Sequence, residues 1–412
     1  MENDNVISIY FNIGILIFLF MKSIAVYYKI HEGIDNKVSS ENYDENQKWR
    51  LTSTEGLKPF SDVGELHVNI WKVNEGRLKL HPVFYVDLGI KVSFKCEQIR
   101  LFVPFVTLKE KWKDLCKDVM EHRDLMCAIF NDDMKGIPQN NTCFCKVESQ
   151  TNNRAFYLYQ LALENMEFEE FNDENKQKGT YITIKIKGNP ANEETLDNFK
   201  DEQVYLRIRL YVENNDELAI TEHVSNDLLQ AAFSQTDLFD FRFNEKREID
   251  GKILEKMKSD GFQPLSFDKV HVFYIADTRE DVENESSLKI DSRLLEKLHW
   301  ETYEPENKLR NTHYVAHHWR KRRKNEEPPF AEASVFFSTK YPNIDLWRLA
   351  SYFSVVILLG WVGSMLSFHF RELSSWQPRV KLALIFCLVV FVVGLIIKVN
   401  IGFVQAKIYR KR

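Results

Sequence analysis

Tyr205-Leu206-Arg207-Ile208-Arg209-Leu210-Tyr211 alternates apolar and polar side chains without a break. A period of two puts residues i, i+2 and i+4 on one face of a strand. Leu206, Ile208 and Leu210 then form an apolar side, and Arg207 and Arg209 a basic one. Tyr181-Ile182-Thr183-Ile184-Lys185-Ile186-Lys187 repeats the pattern with lysines. Strands of this kind belong to an antiparallel sheet with one solvated face.

Working outward, His67-Val68-Asn69-Ile70-Trp71-Lys72-Val73 alternates in the same way. Further strands are expected at Val83–Phe94, Gln98–Leu108, Arg154–Leu163, Thr180–Lys187, Gln203–Val212, Leu238–Phe243, Val270–Ala276 and Ala333–Ser338. Lys109–Phe130 reads as an amphipathic helix, with Trp112, Leu115, Val119, Leu125 and Ile129 near one stripe. Asn226–Phe233, Gly251–Asp260 and Asp291–Tyr303 read as shorter helices, and loops are expected at Lys135–Thr142, Gly188–Thr195 and Asn325–Pro329. Strand runs broken by occasional helices give an α+β class, with a β-rich, antiparallel, sandwich-like domain over 61–343. The pattern admits a division near 215–225. No internal repeat is present.

Both ends of the chain read as membrane segments. Leu349–Phe370 contains no Asp, Glu, Lys or Arg, and Leu382–Phe403 is apolar apart from Lys398 and Asn400. About 22 residues at 1.5 Å each cross a hydrocarbon core of about 30 Å. A third candidate is Val6–Tyr28, followed by a polar tether over 29–60. The expected order is therefore helix 6–28, tether, domain, helix 349–370, loop 371–381, helix 382–404 and the basic tail 405–412.

The 412 residues include 15 Gly and 11 Pro, 44% hydrophobic and 13% aromatic residues, the profile of an ordered chain with a real core. Net charge is −5 although the tail carries Lys407, Arg410, Lys411 and Arg412, so the domain is more acidic still and nucleic acid is disfavoured as a partner. Cys96, Cys116, Cys127, Cys143 and Cys145 lie in the domain and Cys387 in a membrane segment. This odd, irregular set suits reduced thiols better than a disulfide framework.

Charge also suggests sidedness. Met1–Asn5 has two acids and no base, while Lys22, Lys29 and Lys37 follow the first apolar run. Lys340, Arg348 and the basic tail flank the C-terminal pair, against Arg371, Arg379 and Lys381 in its loop. The positive-inside rule places the domain in the cytoplasm and the N-terminus outside. A lumenal or extracellular glycosylated domain is the opposing reading, using the sequons at Asn140 and Asn284.

Candidate chemistry is sparse. Neither nucleotide-binding glycine loop, nor H-E-x-x-H, nor G-x-S-x-G occurs. Ser286–Lys289 matches S-x-x-K by letters, without its partner motifs. Cys143 and Cys145, with Cys116 and Cys127, lack the spacing of a structural zinc site. His313 and His317 would share one face of a helix, but with no acidic residue in the same turn. No cofactor or metal is expected. Arg320-Lys321-Arg322-Arg323-Lys324 is the sharpest charge feature, and anionic lipid headgroups are its expected contact. Ala350, Ser354, Gly360, Ser364 and Ser367, with Ala383, Cys387 and Gly394, are small residues suited to close helix packing, within the chain or in a homo-oligomer.

Two function classes follow. The favoured one is a membrane-anchored binding or sensing protein. Its cytoplasmic domain recognises a protein or small-molecule partner, and its helices provide anchoring, assembly or a membrane effector output. That layout suits scaffolds and membrane-disrupting effectors of cellular defence. The other is a membrane-tethered enzyme with scattered site residues, where Asp132, Asp133 or Asp277 at strand ends are the acids to look for.

Overall fold

The computed structural model describes residues 23–30, 63–73, 83–138, 143–152, 154–172, 178–187, 202–212, 220–222, 234–284, 286–295, 300, 303, 313–324, 327–342 and 346–372. They divide between a β unit, within 1–222 and 236–341, and a second unit, within 223–235 and 342–412.

The strands follow in chain order. They begin with β1 (Ala25–Ile30), β2 (Val63–Val73), β3 (Val83–Ser93), β4 (Cys96–Val103), β5 (Trp112–Asp114) and β6 (Met134–Pro138). Next come β7 (Phe144–Ser149), β8 (Ala155–Tyr159), β9 (Met166–Asn172), β10 (Lys178–Lys185), β11 (Gln203–Val212), β12 (Ile220–Glu222) and β13 (Ser234–Phe243). The last are β14 (Gln263–Pro264), β15 (Ser266–Asp277), β16 (Asp281–Asn284), β17 (Ile290–Leu294), β18 (Tyr314–Arg322) and β19 (Ala333–Pro342). The helices are α1 (Cys116–Glu121), α2 (Arg123–Phe130), α3 (Gly251–Ser259) and α4 (Leu346–Glu372).

Three sheets result. A ten-stranded sheet runs β17-β18-β15-β2-β3-β11-β8-β7-β6, with β5 also paired to β11. A five-stranded sheet runs β14-β1-β4-β10-β9, and a four-stranded one β12-β13-β19-β16. Most pairings are antiparallel, as the alternation predicts; β2 with β15 and β8 with β11 are parallel. Strands from either side of 215–225 share the large sheet, since β11 pairs β3 and β15 pairs β2.

The even-numbered residues of β11, Leu206, Ile208 and Leu210, enter the main core. There they meet Val68 and Leu88 of the same sheet, Leu101 and Ile184 of the five-stranded sheet, and Phe239 and Phe337 of the four-stranded one. Each such side chain contributes about 1.5–3 kcal/mol by leaving water. Helix α3 covers the far side of the five-stranded sheet, burying Ile253 and Met257 against Tyr27, Phe102 and Tyr181. The Asp250 side chain caps it by accepting from the Lys252 amide at 2.8 Å. Helices α1 and α2, with Leu295, Trp300 and Tyr303, cover part of the outer face of the large sheet.

Five expectations are corrected. Arg207 and Arg209, read as a solvated basic face, are 1% and 5% exposed. The N-terminal membrane helix cannot extend to Tyr28, because Ala25–Ile30 is strand β1, paired with β4 and β14. Val26 and Tyr28 face the main core while Ala25 and Tyr27 face α3. A strand buried on both sides reads as an unbroken apolar run, which hydropathy does not distinguish from a helix. Residues 6–22 and 31–60 lie outside the described residues. Lys109–Phe130 is not one helix: β5 interrupts it because Trp112 pairs with Leu210, leaving α1 and α2. Ile290–Leu294 is edge strand β17 rather than the start of a helix, and Met134–Pro138 within the expected loop is β6. Asn226–Phe233 lies outside the described residues.

In the second unit α4 coincides with the apolar run expected at 349–370 and is 27 residues long. Its side chains are described only at Ala350 and over 352–364. Counted over the described residues, no helix is long and apolar enough to cross a membrane. Ala350, Ser354, Gly360 and Ser364 are exposed on this helix, and Ser354 donates to the Ala350 carbonyl at 2.8 Å. Ser367 lies in α4 but its side chain is not described. Ala383, Cys387, Gly394 and the whole segment 382–404 lie outside the described residues.

Candidate functional site

The outer face of the ten-stranded sheet gathers polar groups from five strands. Register sets them in rows. Lys91 stands opposite Glu65 and Lys269 pairs across to Glu65; His67 stands opposite Gly89 and His271; Asn69 stands opposite Asp87 and Phe273. On the next strand out, Arg322, Arg320 and His318 stand opposite Lys269, His271 and Phe273. Tyr205, Arg207 and Arg209 complete the rows beyond β3.

The deep end of this face is a saturated network. Arg209 grips Asp87 through Nε at 2.6 Å and Nη2 at 2.9 Å, and its Nη1 donates to the Tyr303 carbonyl at 2.8 Å. Trp71 Nε1 and the Tyr303 hydroxyl each donate to Asp87 at 2.8 Å. Arg207 donates to the hydroxyls of Tyr303 and Tyr205. With the Asn69 amide turned so that its oxygen accepts from Arg207 at 2.7 Å, that guanidinium is satisfied as well. Burial pushes the Asp87 carboxyl up, but Arg209 and Arg207 outweigh it and hold it below the usual carboxylate range. Every group here is used within the protein, which is the pattern of structural support rather than of a reacting centre.

Gly89 makes room for this arrangement. A Cβ there would lie 2.0 Å from the Tyr205 hydroxyl oxygen. The same hydroxyl stands 3.5 Å from His67 Nδ1 and 2.7 Å from Arg207.

Toward the open end the groups are less committed. Glu65 is held by Lys91 at 2.8 Å and by Lys269. Burial raises its carboxyl, but His67, Lys91 and Lys269 together drive it well below the ordinary range. His67 lies 3.8 Å from Glu65. Burial pushes its pKa down, and the attraction of Glu65 only partly offsets this. His271 Nδ1 and His318 Nε2 are 3.0 Å apart, and Phe273 stacks on His318 at 4.0 Å. Burial first, then neighbouring charge, lowers His271 to about 2 and His318 to about 4.

Beside this face lies a cleft of about 320 Å³ between α2 and β17, lined by Asp124, Cys127, Asn131, Asp132, Arg293 and Trp300 among others. A smaller recess behind it shares Ala128, Arg293, Leu295 and Trp300 and reaches His67, Asn69 and Arg207.

The structure divides the basic cluster. Arg320, Arg322 and Lys324 are exposed. Lys321 turns to the other face and lies 4.2 Å from the centre of the Phe330 ring. Arg323 pairs with Asp268 at 2.7 Å. His313 and His317 do not share a helical face, because Tyr314–Arg322 is a strand. His317 instead meets the Ser292 hydroxyl at 2.9 Å.

The candidate catalytic acids are tied down. Asp132 accepts from Ser149, Thr151 and Asn152, hydrogen bonds that bring its pKa to about 2. Asp133 pairs with Arg123 and Asp277 with Arg279. Ser286 sits in an exposed turn, bonded to Asn284. Among the described residues no three His, Cys, Asp or Glu side chains are placed to hold a metal ion. The outer-face histidines were not legible as a group, since His67, His271 and His318 come from three distant strands; the density of histidine and aromatics in His313–Trp319 was the available signal.

No protein-family model and no curated protein matches this chain.

Proposed function

We propose that this chain is a membrane-anchored binding protein, in which the β unit recognises a ligand or partner and the C-terminal helices hold it at a bilayer. One observation carries the reading. On α4 the exposed side chains Tyr352, Phe353, Val356, Ile357, Leu358, Leu359 and Trp361 point around the whole circumference. A helix that is apolar around most of its circumference is covered by a protein core or by a bilayer. No described helix is by itself long and apolar enough to cross a membrane, and the bilayer is the surround proposed for α4 together with the apolar run at 382–404. In the sequence, residues 343–345 lie between α4 and β19. Along α4, Ala350, Ser354, Gly360 and Ser364 offer a small-residue stripe for a neighbouring helix of the same chain or a second copy.

Binding is favoured over catalysis because the candidate acids Asp132, Asp133 and Asp277 are engaged in structural bonds. The cytoplasm is the side proposed for the β unit. Asn284 supports it: its Nδ2, the atom a glycan would take, donates to the Leu288 carbonyl at 2.7 Å, and its Oδ1 accepts from buried Trp319 at 2.9 Å.

Alkaline carbonate extraction of membranes tests the anchor. The full chain should stay in the pellet, and a chain ending at Pro342 should move to the supernatant. Recovery of the full chain in the supernatant would overturn the reading.

A further inference from the structure

The arginines whose side chains are described fall into two groups. Eight contact a carboxylate, from Arg100 with Asp260 to Arg323 with Asp268. Four have no carboxylate partner among the described residues: Arg154, Arg293, Arg320 and Arg322. All four border the outer face of the large sheet. Arg320 stands opposite His271, Arg322 opposite Lys269, and Arg293 opposite Ala316. Arg154 precedes β8, and its charge reaches Lys91. The acids of this face are already engaged, Glu65 by Lys91 and Lys269 and Asp291 by Lys289 at 3.4 Å. Among the described residues, the guanidiniums without a carboxylate partner thus gather on one face of a chain whose net charge is −5.

His271 and His318 lie among them, 3.0 Å apart. Arg320 and Arg293 act on His318 electrostatically, against Asp291, the acid that stands opposite it. Neutral imidazoles add hydrogen-bonding nitrogens without further charge, and guanidiniums match phosphate oxygens in a planar fork. We infer that this face binds a soluble phosphate ester, with Arg320 and Arg293 supplying charge on either side of the His271–His318 pair and Arg322 widening the site.

Lipid headgroups offer the same chemistry, so the test below carries one arm for each source. The anion site itself does not rest on the membrane-anchored reading.

The test uses the full chain in neutral detergent, with pyrophosphate as the probe, followed by calorimetry and by the histidine ring signals in NMR. Saturable binding is expected, with a shift of the His318 ring signals. The exposed pair Arg293→Gln and Arg320→Gln should weaken it at least tenfold with the unfolding midpoint unchanged. Absence of saturable binding, or equal affinity in the double variant, would overturn the site. Binding seen only with anionic vesicles, and not with pyrophosphate, would overturn the soluble ligand. Carbonate extraction reads the anchor separately, so the two failures are distinguishable.

Discussion

The guanidinium of Arg209 and the carboxylate of Asp87 meet through two parallel hydrogen bonds at 2.6 and 2.9 Å, 6% and 0% exposed. The pair sits on adjacent strands, and Tyr303 reaches it from the covering layer. Such a pair fixes which face of β11 turns inward. Removing one partner leaves a buried charge with fewer donors. Arg209→Met should cost about 3–5 kcal/mol, read from denaturant unfolding of the full chain in detergent. A loss under about 1 kcal/mol would show that the network is not dry and tight, since that is the ordinary worth of an exposed pair.

Gly89→Ala tests the same face from the backbone. The new methyl would meet the Tyr205 ring and hydroxyl, at 2.7 and 2.0 Å, and must displace them. Tyr205 would then lose its contacts with Arg207 and His67. Overpacking of this kind costs about 1–3 kcal/mol. A thermal midpoint equal to that of the parent would mean that Tyr205 has another place to go.

Lys72 is the single base between two acids, 3.0 Å from Asp237 and 3.1 Å from Glu280, all of them buried. Burial raises the Glu280 carboxyl, and the attraction of Lys72 only partly offsets this. A folded pKa above the unfolded value favours folding on the acid side, and that contribution fades as pH rises through the folded pKa. Glu280→Gln mimics the protonated acid. Its stability relative to the parent should therefore rise as the parent's Glu280 ionises, and the two should converge below about pH 4.5. Unfolding free energies at several pH values check this; a gap that does not change with pH would remove Glu280 as its source.

The alternation at Tyr205–Tyr211 located β11 because period two is a property of the backbone itself. Its faces were misread because a charge buried with a counter-ion looks, along the chain, like a charge in water. The counter-ion Asp87 lies 122 residues away and the second partner Tyr303 lies 96 residues from Arg207. The same limit hid the outer face, whose rows exist only after β2, β15 and β18 pair. It also hid β1, where apolar residues on both sides of a strand imitated a membrane helix. The spacing of His313 and His317 suggested a shared helical face, and the strand pairing of β15 with β18 decided otherwise.

The histidine pair gives the last prediction. His271 and His318 are held neutral in the folded chain, at pKa values of about 2 and about 4. In the unfolded chain each returns toward about 6.5. A lowered folded pKa means that the stabilising contribution is complete above the unfolded value and is lost as pH falls through the folded one. Stability should therefore decline from about pH 6.5 downward, before most carboxylates titrate. His318→Asn, which cannot take up the proton, should flatten that decline between about pH 6.5 and 4 while shifting stability at pH 8 by a constant amount. Denaturant midpoints across this range measure the slope. An unchanged slope in the variant would assign the acid sensitivity to other groups.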